Sequence, residues 1–494
     1  MANVKATDLI DFTRASEGYA LAKVSYGEEL VSSSDRNQTA TSTDEIVGVE
    51  VDPISVEIGK IYFVSATVTA TSTGTFKNPD WGVGEPNIDP VQSNTFDLLN
   101  EQDAYEDNVE TNVYGTVIPN QSTIGVAFRV GGDSSGDNTL TVSNISVKEV
   151  TFNQADGTLQ LFQHPDNIPR IEYDADGNLL GLLIEEQRTN NITNSESCSF
   201  VDKSGGTVTA STTPAPYGTS STVKRIQSST LNGGGRLQVT ILTGGDNYCS
   251  VYVRSRTGAD QNLKITAAGT TGATQVAPAS GDWVRLGRVA SLGAGSRDMR
   301  VLSTGDTIDL DIALPQVELG SFPTSYIKTT GSTASRSADV AKIDVDQFGY
   351  NQNEGTVVAE FDSNGSDGSD YPRVFALSNT SGSDLARFLI NPTNTTTVSV
   401  ITSSSGVALT GWSGSISPNT AETIALAIKQ DSFAASLSGA STQTDASGNM
   451  PAKADLLAIG TQTNLGNNYL NGHIKSIKYF PKRLSNAKLQ ELTS

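Results

Sequence analysis

The sequence has little of what most enzymes and most small secreted proteins depend on. Its 494 residues include 2 cysteines, 2 histidines, 3 methionines and 3 tryptophans. Two thiols, Cys198 and Cys249, supply neither a disulfide framework nor a zinc cluster, and are read as buried in or near one sandwich. Two histidines, His164 and His473, leave few ways to assemble a Ser/His/Asp triad. Neither sits in a nucleophile-elbow pattern, so both are read as strand or surface residues. Positive charge is also scarce, with 33 Lys and Arg against 54 Asp and Glu for a net charge of −21. That balance excludes nucleic acid as a partner, because phosphate backbones select for basic stripes. No run approaches the roughly 20 apolar residues of a membrane span. Met1 to Leu9 carries Lys5 and Asp8 with no apolar stretch behind them, so no secretion signal is read there. The chain is therefore expected to be either cytoplasmic or released by another route.

What the chain does contain is Ser, Thr, Asn and 46 glycines, with 36% hydrophobic and 18% charged residues. Hydroxyl and glycine residues serve turns, and β-branched threonine fits a pleated surface. Apolar residues recur at every second position, as in Ile61-Tyr62-Phe63-Val64-Ser65-Ala66-Thr67-Val68 and Trp283-Val284-Arg285-Leu286-Gly287-Arg288-Val289. Such alternation puts one strand face on a core and the other in water. The fold class expected is all-β: tandem β-sandwich (jelly-roll) modules joined by short linkers, with a short C-terminal helix capped by Ser485. The expected divisions are a composite anchor of 1–16 plus 151–192, an inserted sandwich over 17–150, a second over 193–328, a linker over 329–344 and a third sandwich over 345–494. Asp176-Gly177-Asn178 predicts a tight hairpin inside the anchor. No heptads occur, so any trimer forms without a coiled coil.

Three blocks belong together across the chain: Asp11-Phe12-Thr13-Arg14-Ala15-Ser16, Pro169-Arg170-Ile171-Glu172-Tyr173-Asp174, and Gly181-Leu182-Leu183-Ile184-Glu185-Glu186-Gln187-Arg188-Thr189-Asn190. Together they resemble a segment found in tail-fibre, spike and other structural proteins of bacteriophages. The stretch Leu314 to Ile327 is similar to the last strand of carbohydrate-binding-module sandwiches that follow that segment, and Ser335-Arg336-Ser337-Ala338-Asp339 to its tail. Through Asn471-Gly472-His473-Ile474-Lys475-Ser476-Ile477 and Pro481-Lys482-Arg483-Leu484-Ser485, residues 345–494 resemble a laminin-G or concanavalin-A-like jelly roll. The resemblance implies a virion protein on the tail or capsid surface, made in the host cytoplasm, whose partners are other virion proteins and host cell-surface polysaccharide. It further implies a homo-oligomer, with a trimer favoured. Alternatives are a capsid fibre or decoration protein, a secreted bacterial adhesin and a glycan depolymerase.

Catalytic chemistry is not expected. Glu185-Glu186 is the most tempting carboxylate pair, but neighbours on a strand face opposite ways and cannot flank one glycosidic bond. They are read as partners of Arg170 or Arg188. Glycan binding is easier to support, since sugar C–H faces stack on aromatic rings while amides and acids bond the hydroxyls. The candidates are Trp81, Tyr105, Trp412, Tyr469 and Asn467, with Trp81 in its Gly- and Pro-flanked loop expected to be the most exposed. Trp283 and Trp412 are read as core or inter-sheet packing. No cofactor is expected. A structural calcium ion could sit at Asp362, Asp367 and Asp370, or that run and Gly132 to Asn138 are solvated acidic loops.

Overall fold

The computed structural model describes residues 10–43, 46–85, 88–90, 95–102, 104–131, 136–152, 155–267, 269, 272–364, 371–379, 385–390, 397–403, 414–450, 454–462 and 468–494. The protein is all-β: the described residues form three two-sheet sandwiches, one two-stranded ribbon and one short α-helix, Asn486–Thr493. That helix starts where Ser485 accepts a hydrogen bond from the Lys488 amide, and it buries Leu489 against the last sandwich. No described helix is long and apolar enough to cross a membrane.

The first sandwich faces a sheet built on Gly18–Glu29, Asp137–Phe152 and Ile61–Ser72 against one built on Val47–Ser55, Thr123–Val130 and Asp80–Gly84. Its core is the predicted alternate set: Tyr62, Val64, Ala66 and Val68 point inward, and all are buried. The strand Thr158–His164 pairs along Gly18–Val24. The first sandwich therefore extends to 164, past the boundary expected at 150, because the apolar residues Leu161 and Phe162 are buried on either face of that edge. The second sandwich runs from Val201–Lys203 to Ile308–Leu319 and encloses both thiols, Cys198 and Cys249. Burial pushes each thiol up to about 12.

The largest departure concerns the anchor. Its strands do not form a body of their own. Asp11–Thr13 pairs with Val340–Asp344 at the edge of one seven-stranded sheet of the C-terminal sandwich. The hairpin Ile171–Tyr173 and Leu179–Ile184 turns at Gly177 as predicted, and its second strand pairs with Gly472–Phe480 in the opposite sheet. Phe12, Leu182 and Ile184 accordingly join Val357, Phe361 and Phe375 in one core. Three-residue and six-residue strands cannot bury a core alone, and two open sheet edges give them one. The linker expected over 329–344 is likewise structured. Ala334–Arg336 pairs with Arg188–Asn190, and Val340–Asp344 enters the sheet. The first two sandwiches are thus insertions into the third.

The insertion points meet at a buried cluster of charges. Arg14, Arg170 and Arg336 face Asp339 and Glu185, all at most 2% exposed. Glu185 lies 2.9 Å from Arg170 and 3.0 Å from Arg336, and Arg170 lies 2.5 Å from Asp339. Three guanidiniums and two carboxylates leave one positive charge in excess. Arg14 disperses it by donating to the carbonyls of Ser16, Ile168 and Pro165 at 2.7, 3.2 and 2.6 Å. Ser325 of the second sandwich closes the cluster, its amide and hydroxyl each donating to Glu185 at 2.7 Å. Each of the three sequence blocks grouped above thus supplies a member: Arg14, Arg170 and Glu185. Glu186 turns the other way, onto Arg188 and the Asn471 side chain, so the two acids are structural ion-pair partners as expected.

Candidate functional site

The residues proposed from sequence as glycan contacts are placed differently. Trp81 is 1% exposed. Its segment, Asp80–Gly84, is a strand pairing with Thr123–Val130, and its indole stacks on Phe128 at 5.9 Å and 12°. The flanking glycine signalled close packing, not a loop: a Cβ on Gly82 would lie 2.3 Å from the Leu99 carbonyl oxygen. Tyr105 is buried beside it, donating to the Asp80 carbonyl at 2.9 Å. Tyr469 is buried in the C-terminal core. Trp412, Asn467, Asp367 and Asp370 lie outside the described residues. Asp362, the remaining candidate metal ligand, instead holds His473, whose Nδ1 is 2.9 Å from it and whose Nε2 is 2.8 Å from Glu172. Burial lowers the imidazole's pKa, but the two carboxylates outweigh that and raise it to about 10. His164 is a buried strand residue, lowered to about 3 by burial and by Arg14 and Arg170.

The partly exposed aromatic rings that sugar binding calls for converge elsewhere. A groove of about 390 Å³ opens where the first sandwich, the 171–184 hairpin and the second sandwich meet. Tyr217, Tyr252 and Trp283 line it, with Tyr173 behind them and Glu172 and Arg285 supplying charge. The first three are half-buried. Trp283 is therefore not a core residue, as had been expected; it precedes the strand Val284–Leu292 and forms a rim.

Each ring is held from behind. The Trp283 indole donates to the Pro214 carbonyl at 3.2 Å, and the Tyr217 hydroxyl donates to the Trp283 carbonyl at 3.1 Å. Tyr217 and Tyr252 meet edge-on, with centroids 6.3 Å apart. Beneath the rim lies an apolar layer of Tyr19, Leu161, Val223, Ala313, Leu314 and Tyr326, which fixes the first two sandwiches against each other. Tyr217 occupies the left-handed backbone region, φ 47 and ψ 40, in the turn Pro216–Gly218. A bulky side chain pays about 1–3 kcal/mol for that conformation, and such strain concentrates at binding sites. Burial raises the Tyr217 hydroxyl's pKa, helped by Asp282 and Asp176.

No family model matches this chain, and no curated protein does. Among solved structures it is similar to the tandem CBM22 domain of Xyn10C from Paenibacillus barcinonensis, at 11% identity over 60% of this chain and 98% of that one, TM-score 0.20. It is also similar to domains LG4-5 of the mouse laminin alpha1 chain, at 10% identity over 51% of this chain and 86% of that one, TM-score 0.21. A third is the tandem CBM51 modules of Sp3GH98, a family 98 glycoside hydrolase from Streptococcus pneumoniae, at 10% identity over 62% and 99%, TM-score 0.16.

The groove escaped the sequence reading because its rings come from three segments with no shared motif. The one available signal was Pro214-Ala215-Pro216-Tyr217-Gly218, where two prolines and a glycine bracket a tyrosine and predict a rigid turn presenting it.

Proposed function

We propose that this protein is a non-enzymatic attachment protein of a bacteriophage virion, of the tail-fibre or spike type, that holds host-surface polysaccharide in the Trp283 groove. The observation that carries the binding half is the strained Tyr217 set against Trp283, two half-buried rings whose polar ends are tied to backbone carbonyls. Rings fixed in this way present an apolar face at no further entropic cost, and a pyranose C–H face is the ligand surface that matches it. Glu172 and Arg285 line the groove and put one charge of each sign beside its hydroxyls. The virion half rests on the phage-like segment, whose Arg14, Arg170, Glu185, Arg336 and Asp339 act together as one buried unit.

Binding is tested on an immobilised bacterial glycan panel with the intact chain and with Trp283→Ala. Retention of at least one polysaccharide by the parent, lost in a variant with an unchanged melting temperature, is the expected outcome; equal binding by both removes the groove from the reading. Antibody-labelled electron microscopy of virions tests the rest, with label expected on the tail. Absence of label from particles would overturn the virion assignment.

A further inference from the structure

Two charged side chains line the Trp283 groove, and the partners of each decide what kind of glycan it can take. Arg285 is the residue that would ordinarily mark a site for an acidic sugar, because guanidinium and carboxylate match in shape and charge. Here its fork is already in use. Its Nε and Nη2 donate to Ser250 Oγ at 3.2 and 3.0 Å, and its Nη1 donates to the Thr324 carbonyl. Its charge is answered by Glu318, 3.9 Å away and fully buried.

Glu172 is engaged in the same manner. One carboxylate oxygen accepts from the Leu21 amide of the first sandwich at 3.3 Å, and the other lies 2.8 Å from Nε2 of His473 in the C-terminal sandwich. Against the effect of burial, Asp362 and Glu172 keep His473 protonated at neutral pH, so Glu172 faces an imidazolium inside the protein. A cation arriving from outside would have to compete for a carboxylate that already has a partner at each oxygen.

The uncharged polar groups follow the same rule. The hydroxyls of Tyr326 and Ser325 turn inward onto Glu196 and Glu185, just as the Tyr217 hydroxyl and the Trp283 indole turn onto backbone carbonyls. Much of the remaining lining is hydrocarbon: Leu21, Leu161, Leu180 and Val284 stand beside the rings.

We propose that the Trp283 groove selects an uncharged polysaccharide, one that lays the C–H face of a pyranose against the rings while its hydroxyls stay at the opening in water. The inference rests on the reading of this groove as the glycan site. A carboxylate or ammonium brought against these walls would lose its water and find both lining charges already paired, so nothing would offset its desolvation. A carboxylate would also approach a chain carrying −21 overall. An uncharged sugar meets neither obstacle, and stacking supplies the attraction.

The test is retention of the full chain on immobilised bacterial polysaccharides grouped by charge: uncharged, uronate- or phosphate-bearing, and amine-bearing. The parent and Trp283→Ala are compared on each in about 0.15 M and about 1 M salt. Tyr217→Ala serves as the second variant should Trp283→Ala melt early. Every polysaccharide whose retention is lost in a folded variant is expected to be uncharged, and its retention by the parent should fall by less than about twofold at the higher salt. Converting the primary hydroxyls of a retained polysaccharide to carboxylates should weaken its binding at least about tenfold. Ring-dependent retention of a charged polysaccharide, or unchanged binding after that oxidation, overturns the inference and leaves the groove as a glycan site. Absence of any ring-dependent retention removes the groove and the inference together.

Discussion

Arg14 and Asp339 stand 325 residues apart in the chain and pair at 3.4 Å, with neither side chain reached by solvent. Asp339 also holds Arg170 and accepts from the Glu185 amide at 2.9 Å, so its removal leaves two guanidiniums facing each other. Asp339→Ala is expected to destabilise the protein by about 3–5 kcal/mol, the usual effect of stripping one partner from a buried ion pair. Urea unfolding of the intact chain measures it. Lys488→Ala, which breaks an exposed pair with Glu491, serves as the control and should change stability by less than about 0.5 kcal/mol.

Acid should weaken the same cluster through Glu185. Burial raises the pKa of that carboxyl, but Arg336 and Arg170 outweigh burial and bring it from 4.5 down to about 2. A carboxyl lowered on folding contributes stability that is complete above 4.5 and lost as the pH falls towards 2. The contribution is on the order of 3 kcal/mol. Thermal melts between those limits should show a decline that is flatter in Glu185→Gln, and parallel curves for the two proteins would refute the assignment.

The strands, the helix cap at Ser485 and the 176–178 turn were legible in the sequence because each depends on neighbours a few residues away. Period two identified Val64 and Val68 as core, and the hairpin chemistry placed Gly177. The partnership of strands was not legible. Nothing local tells Asp11–Thr13 that its mate is Val340–Asp344, and the short segments were grouped by resemblance into a domain that pairing assigns to the C-terminal sandwich. The site suffered from a related blindness. Trp81 among Asn78, Pro79 and Gly82 carries every local mark of a loop, and only the approach of Leu99 shows that the glycine clears space for a neighbouring strand.

Trp81→Ala is therefore a packing variant. Removing an indole stacked on Phe128 should cost about 3–5 kcal/mol. The lowered midpoint should come without selective loss of glycan retention at a temperature where the variant remains folded. Selective loss with an unchanged midpoint would show that the ring meets ligand.

Gly320 offers a sharper test of the joint between the second sandwich and the strand Arg188–Asn190. Its φ is +140, and a Cβ there would lie 2.3 Å from the Arg188 guanidinium, which packs over the Phe322 ring at 5.1 Å. Gly320→Ala should lower stability by roughly 1–3 kcal/mol. Combining it with Arg188→Ala removes the obstacle, so the double variant should lose less than the sum of the two single changes.

The borrowed strands of the C-terminal sandwich have a consequence for biosynthesis. Asp11–Thr13 is made before both inserted sandwiches, yet the residues that receive it are translated only after them. That segment must wait, unpaired, while both insertions are made, and the receiving sheets cannot be completed until Gly472–Phe480 has emerged. A product cut short before Gly472–Phe480 would forfeit the partner strand of the 171–184 hairpin as well as its own missing part. The first two sandwiches, by contrast, draw their cores from residues made before that strand.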